Sequence, residues 1–116
     1  MVLVTLIAGL HVYIMVLEMV LWETPRAKRA FGTTAEFARA TRVLAANQGL
    51  YNGFLAAGLI WALWLGVGEA GCVAARFVLG CVVVAGVFGA LTASRRILFV
   101  QALPGAVGIL AVLAGW

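Results

Sequence analysis

Apolar residues run almost without interruption through VLVTLIAGLHVYIMVLEMVLW, residues 2–22, before Glu23 and then Pro25, Arg26, Lys28 and Arg29 end the run. A helix needs about 20 such residues to cross the ~30 Å hydrocarbon layer, so residues 2–22 are expected to form a first span. Farther on, Thr33-x-x-Glu36 has the form of a capping box, in which the hydroxyl and the carboxylate each satisfy a backbone N–H. A second helix is therefore expected to start near Thr34 and to run without a breaker to about Gly66. At about 1.5 Å per residue that is longer than the bilayer core requires. The span is placed at residues 43–66, and residues 23–42 become a basic loop and helix extension outside it, with Phe37 able to dip into the interface. GVGEAG, residues 66–71, reads as a Gly-rich turn. Apolar runs at 73–93 and 97–116, divided by Ser94, Arg95 and Arg96, supply a third and a fourth span, the fourth kinked or locally opened at Pro104-Gly105. The expected fold class is all-α: one transmembrane domain, an up-and-down four-helix bundle.

Composition removes the soluble alternatives. The chain of 116 residues is 66% hydrophobic and 10% charged, with a mean hydropathy of +1.15, far outside the range of soluble domains. The spans leave no residues for a soluble catalytic domain. The eight Lys and Arg that give the net charge of +4 sit beside apolar runs, which suits lipid headgroups and disfavours nucleic acid as a partner. With four spans, the loops after the first and third share a side. They carry Arg26, Lys28, Arg29, Arg39, Arg42, Arg95 and Arg96, whereas the other side holds Arg76. The positive-inside rule then puts both termini on the non-cytoplasmic side. The first run lacks a basic n-region and a small-residue cleavage site and contains Glu18, so it reads as a retained span of a bacterial inner-membrane protein. Cys72 and Cys81 have no zinc-spaced companions and read as small packing residues. No metal or cofactor is expected.

Against this background NQGLYNGF, residues 47–54, stands out, because amides in hydrocarbon cost free energy unless other polar groups meet them. Glu18 lies about one turn from the end of span one, Asn47 and Gln48 one turn into span two, Thr92 near the end of span three and Gln101 one turn into span four. These positions share a depth, and a polar pocket in the cytoplasmic half follows. His11, Met15, Glu18 and Trp22 recur at helical spacing and define an inward face. On span two, Asn47, Tyr51, Phe54 and Gly58 form one stripe and Gln48, Asn52 and Leu55 the next. Gly49 and Gly53 form a GxxxG step that admits a close neighbour. An ionised Glu18 in hydrocarbon costs at least ~2.5 kcal/mol, so it needs a proton or partners, expected from Asn47, Gln48 or Tyr51. The candidate ligand-binding or proton-coupling residues are Glu18, His11, Asn47, Gln48, Tyr51, Asn52 and Gln101, with His11 either a proton relay or an interhelical hydrogen bonder. Trp22, Trp61, Trp64 and Trp116 read as interfacial anchors. Gly80, Gly86, Gly89, Gly105 and Gly108 permit close helix contacts, within one chain or in a homo-oligomer.

The residues His11-x-Tyr13-Ile14, Leu17-Glu18-Met19 and Trp22, followed by Phe31 and NQGLYNGFLAAGL at 47–59, resemble the bacterial domain-of-unknown-function family numbered 1304. The resemblance covers nearly the whole chain and implies a small four-span membrane protein without an established activity. A looser similarity is to small multidrug resistance transporters, which share the length, the span number and a helix-one glutamate that exchanges protons for cations. The chain departs from them in its one-sided charge, which an antiparallel dimer would not tolerate. Three functional readings remain. The first is binding and transport of a small solute, with cations among the candidate ligands. The second is a scaffold or accessory subunit whose polar cluster is structural. The third, a membrane enzyme on lipid or isoprenoid substrates, ranks last because His11 and Glu18 are about 10 Å apart along one helix and no nucleophile joins them.

Overall fold

The computed structural model describes residues 1–115, and these are helical almost throughout. The apolar runs become α1 (Val2–Met19), α4 (Arg42–Leu65), α5 (Glu69–Thr92) and α6 (Leu103–Leu113), while α2 (Pro25–Phe31) and α3 (Ala35–Ala40) lie between α1 and α4. No strand occurs among the described residues. Two helices, α1 and α5, are long and apolar enough to cross a membrane, with mean hydropathies of 2.1 and 2.2, and the apolar stretch Leu98–Leu113 is shorter. In α4, Arg42, Asn47, Gln48 and Asn52 dilute the apolar run.

The unbroken helix expected from Thr34 to Gly66 is in fact two helices, because the chain leaves helical geometry at Thr41, where φ is −107° and ψ is 9°. The capping box is displaced as well. Thr34 rather than Thr33 accepts from the N–H of Phe37, at 3.1 Å, and the Thr33 hydroxyl is buried without a partner. Helix α2, absent from the sequence reading, has a simple local cause. Thr24 caps it by accepting from Ala27 N–H at 3.4 Å, and Pro25 occupies the first turn, where its missing N–H costs nothing. Gly32 ends α2 with φ +68°, a conformation that a Cβ would strain.

The chain divides into two compact units, one of residues 10–54 and the other of residues 1–9 with 55 onward. In the first, Trp22 is buried with Ala38 and Ala45. Its indole N–H donates to Thr41 Oγ1 at 3.1 Å, and its ring meets Phe31 at 5.0 Å between centroids. Trp22, expected as an interfacial anchor, is thus a buried side chain that holds the 23–42 segment together. Trp61 and Trp64 are exposed, and Trp116 lies outside the described residues.

In the second unit, Val4, Ile7 and Ala8 pack with Leu59, Ala62, Ala74, Ala75, Val78, Leu79 and Val112. The turn from α4 to α5 needs glycine twice. Gly66 has φ +83°, and a Cβ on Gly71 would fall on the Gly66 carbonyl. Before α6 the helix widens to a π-turn over Leu98–Ala102, where Leu103 N–H bonds to Leu98 O. Pro104 explains the local opening, since it has no N–H to give the carbonyl four residues back. Gly86 of α5 lies against the backbone of Ala102 in this turn, where no Cβ would fit. Gly86→Ala is therefore expected to force the two segments apart and to destabilise the protein by about 1–3 kcal/mol. Gly80→Ala, whose Cβ meets nothing, should leave stability within about 0.5 kcal/mol, and unfolding of both variants in detergent checks the contrast.

Candidate functional site

Two helix faces build the site within residues 10–54. On α1, His11, Ile14, Leu17, Glu18 and, past the helix end, Trp22 are all buried, with Met15 partly so. On α4, Ala45 and Gly49 are buried and Asn52 half-buried, a 4-then-3 spacing that makes one stripe. Gly49 sets the distance between these faces. A Cβ on it would come 2.5 Å from Met19 Cγ, 3.0 Å from Glu18 Cβ and 3.1 Å from the Met15 carbonyl oxygen. A Cβ on Gly53, one turn on, would meet the Met15 sulfur at 2.7 Å. The GxxxG step is thus the surface on which α1 lies, as small residues allow.

This approach places Asn52 beside Glu18. Asn52 Nδ2 donates to Glu18 Oε1 at 2.6 Å and to the backbone carbonyl of Gln48 at 3.2 Å. The Glu18 side chain is buried, and the Arg42–Glu23 ion pair, at 3.9 Å, lies elsewhere. A buried carboxyl held by a neutral amide can bind a proton, or it can accept hydrogen bonds or a positive charge from a ligand.

The expected partners of Glu18 are corrected by this geometry. Asn47 and Gln48 are exposed, and Tyr51 is exposed with its ring tilted against Phe54 at 6.2 Å. The cause is rotational: once Gly49 and Gly53 face α1, the stripe of Asn47, Tyr51 and Phe54 turns outward. Gln48 keeps a part through its backbone oxygen alone. His11 is fully buried, two turns before Glu18 on α1. Gln101 is half-buried on the π-turn of the other unit. Thr92 directs its hydroxyl to Phe88 O, at 2.7 Å, on its own helix. Among the described residues no three His, Cys, Asp or Glu side chains gather as a metal site would require. Thr41, which the sequence reading passed over, receives the Trp22 indole and donates to Phe37 O at 2.7 Å. A Thr inside an apparently continuous helix gives little sign of such a role.

Comparison with known proteins places this arrangement. The sequence model described as Protein of unknown function (DUF1304) matches residues 5–113. The chain belongs to the DUF1304 family. A relative in Lactococcus lactis, the uncharacterized protein YpaA, is 30% identical over 106 residues, which cover 90% of this chain and 85% of that protein. No solved structure matches. The family match spans both Glu18 and Asn52, so the pair lies in the DUF1304 region itself.

The contacts rank the effects of substitution. Gly49→Ala meets backbone and Cβ atoms and should cost about 1–3 kcal/mol, whereas at Gly53→Ala the flexible Met15 end can move aside at lower cost. A double-mutant cycle of Glu18→Met with Asn52→Leu, followed by unfolding in detergent, should return a coupling of about 0.6–1.7 kcal/mol, the usual scale for interhelical hydrogen bonds in membranes. Pairing Glu18→Met with Tyr51→Phe should give additive effects.

Proposed function

We propose that this DUF1304 protein is a four-span integral protein of the bacterial inner membrane that binds and moves a small polar or cationic solute, with proton exchange at Glu18. The buried Glu18 carboxyl, held by the Asn52 amide, is the observation that carries this reading. In hydrocarbon such a group favours its neutral form unless a ligand brings compensating charge or hydrogen-bond donors. The proposed cycle begins with protonated Glu18; a solute displaces the proton, Asn52 orients it, and reprotonation releases it.

The proposed spans are 2–22, 43–66, 73–93 and 97–116, with both termini on the non-cytoplasmic side and residues 23–42, Arg95 and Arg96 on the cytoplasmic side. Two kinds of evidence support them. The basic residues divide seven to one between the sides. Large apolar side chains also lie exposed along all the long helices, among them Leu6, Leu44, Phe54, Trp64, Val84, Phe88, Phe99 and Leu110, an apolar surface that water would not tolerate on a monomer. The π-turn at Leu98–Ala102 would give the fourth span a deformable point.

A structural role is the second reading, and one observation favours it. Asn52 already joins Glu18 to the Gln48 carbonyl, while Asn47 and Tyr51 point away, so the pair could serve to fix the register of α1 against α4.

The two readings separate in a thermal-stability screen of the purified protein with amines, inorganic cations and polar metabolites at neutral and acidic pH. Binding to the native state must raise the midpoint. Solute binding predicts a rise that shrinks in acid, where protons compete for Glu18, and vanishes in Glu18→Gln. A structural carboxyl predicts lower stability for Glu18→Gln and no ligand-dependent rise in either protein.

A further inference from the structure

An antiparallel connection between two helices needs a few residues, yet residues 23–42 form two capped helices gathered on Trp22. The segment is gathered by contacts of its own, since Trp22 bonds Thr41 and meets Phe31, and Ala27 and Ala38 are buried. Its outer surface is both basic and aromatic. Arg26, Lys28, Arg29, Arg39 and Arg42 stand against the carboxylates Glu23 and Glu36. Arg42 pairs loosely with Glu23, at 3.9 Å, and no other ion pair occurs among the described residues. Phe37 is 54% exposed and Phe31 37%. Exposed arginines and exposed aromatic rings on one short segment, with Phe37 and Arg39 on different sides of α3, match the layered chemistry of a membrane interface, with phosphates above and acyl carbons below.

We propose that residues 23–42 form a docking platform for anionic phospholipid headgroups, in which Arg26, Arg29 and Arg39 take the phosphates and Phe37 inserts at the acyl boundary. This rests on the reading of the chain as membrane-embedded. Charge complementarity selects the partner: the excess of cations suits an anionic headgroup, and the aromatic side chains would gain nothing from a soluble polyanion.

The test uses the full chain with Cys72→Ser, Cys81→Ser and Ala40→Cys, labelled at residue 40 with a polarity-sensitive dye. It is reconstituted into vesicles of phosphatidylcholine, with or without phosphatidylglycerol. Ala40 is exposed on the platform. Phosphatidylglycerol should shift the emission to the blue, and high salt should reverse the shift. Each basic residue near an anionic surface contributes on the order of fivefold in binding, so Arg26→Gln/Arg29→Gln/Arg39→Gln should abolish the response. The corresponding triple Arg→Lys protein should keep it, which separates lost charge from a misfolded platform. An unchanged emission in protein that resists alkaline carbonate extraction overturns the platform and leaves the membrane reading standing. Extraction by carbonate overturns the membrane reading itself. A response to inorganic polyphosphate with none to phosphatidylglycerol, or a Lys variant that behaves as the Gln variant does, also overturns the proposal.

Discussion

The backbone of α4 can lie against α1 because residue 49 carries no side chain. Glu18 Cβ, Met19 Cγ and the Met15 carbonyl already occupy the space that a Cβ at Gly49 would need. Once that approach is fixed, the rotation of α4 has no freedom left. Asn52 must fall beside Glu18, Ala45 beneath the Trp22 cluster, and Tyr51 on the outside. The Glu18–Asn52 bond is then a consequence of packing as much as its cause, because an amide three residues from a buried glycine lies on the same helix face. Dispersion contacts and close backbone approach do this work, as small residues at a helix contact allow.

The long helices were legible because their apolar runs are sustained and hold few breakers. The family was legible from two motifs, and the family match at residues 5–113 bears that out. The segment between α1 and α4 was harder to read. Its helices have seven and six residues, too short for a periodic pattern, and a tryptophan outside both of them holds them. The Thr24-Pro25 pair was a sign of α2, because a hydroxyl followed by proline is a helix start. The capping box was expected at Thr33, whereas Thr34 caps α3 one residue later.

For the site, sequence spacing identified the inward face of α1 correctly, since His11, Glu18 and Trp22 are all buried. On α4 it drew the expected partners of Glu18 from two adjoining stripes, Asn47 and Tyr51 from one and Gln48 from the other. The close approach at Gly49 and Gly53 instead brings Asn52 to the carboxyl. Polar residues on an apolar helix therefore say that partners exist, while the glycines beside them say which residues become those partners.

The π-turn at Leu98–Ala102 has a consequence for how the fourth helix keeps its alignment. Ile97 reaches Gly89, and Ala102, five residues later, lies against Gly86 on the same neighbouring helix; Gly105, Gly108 and Val112 continue the buried side. An ordinary α-helix would return to that side after three or four residues, so the widened turn accommodates one residue more than regular geometry would hold. Between Thr92 and the turn only residues 96 and 97 are helical, so the wide turn works as the opening of α6. It brings Ala102 against Gly86 at the start of that helix, and Gly105, Gly108 and Val112 then follow on the buried side at ordinary spacing.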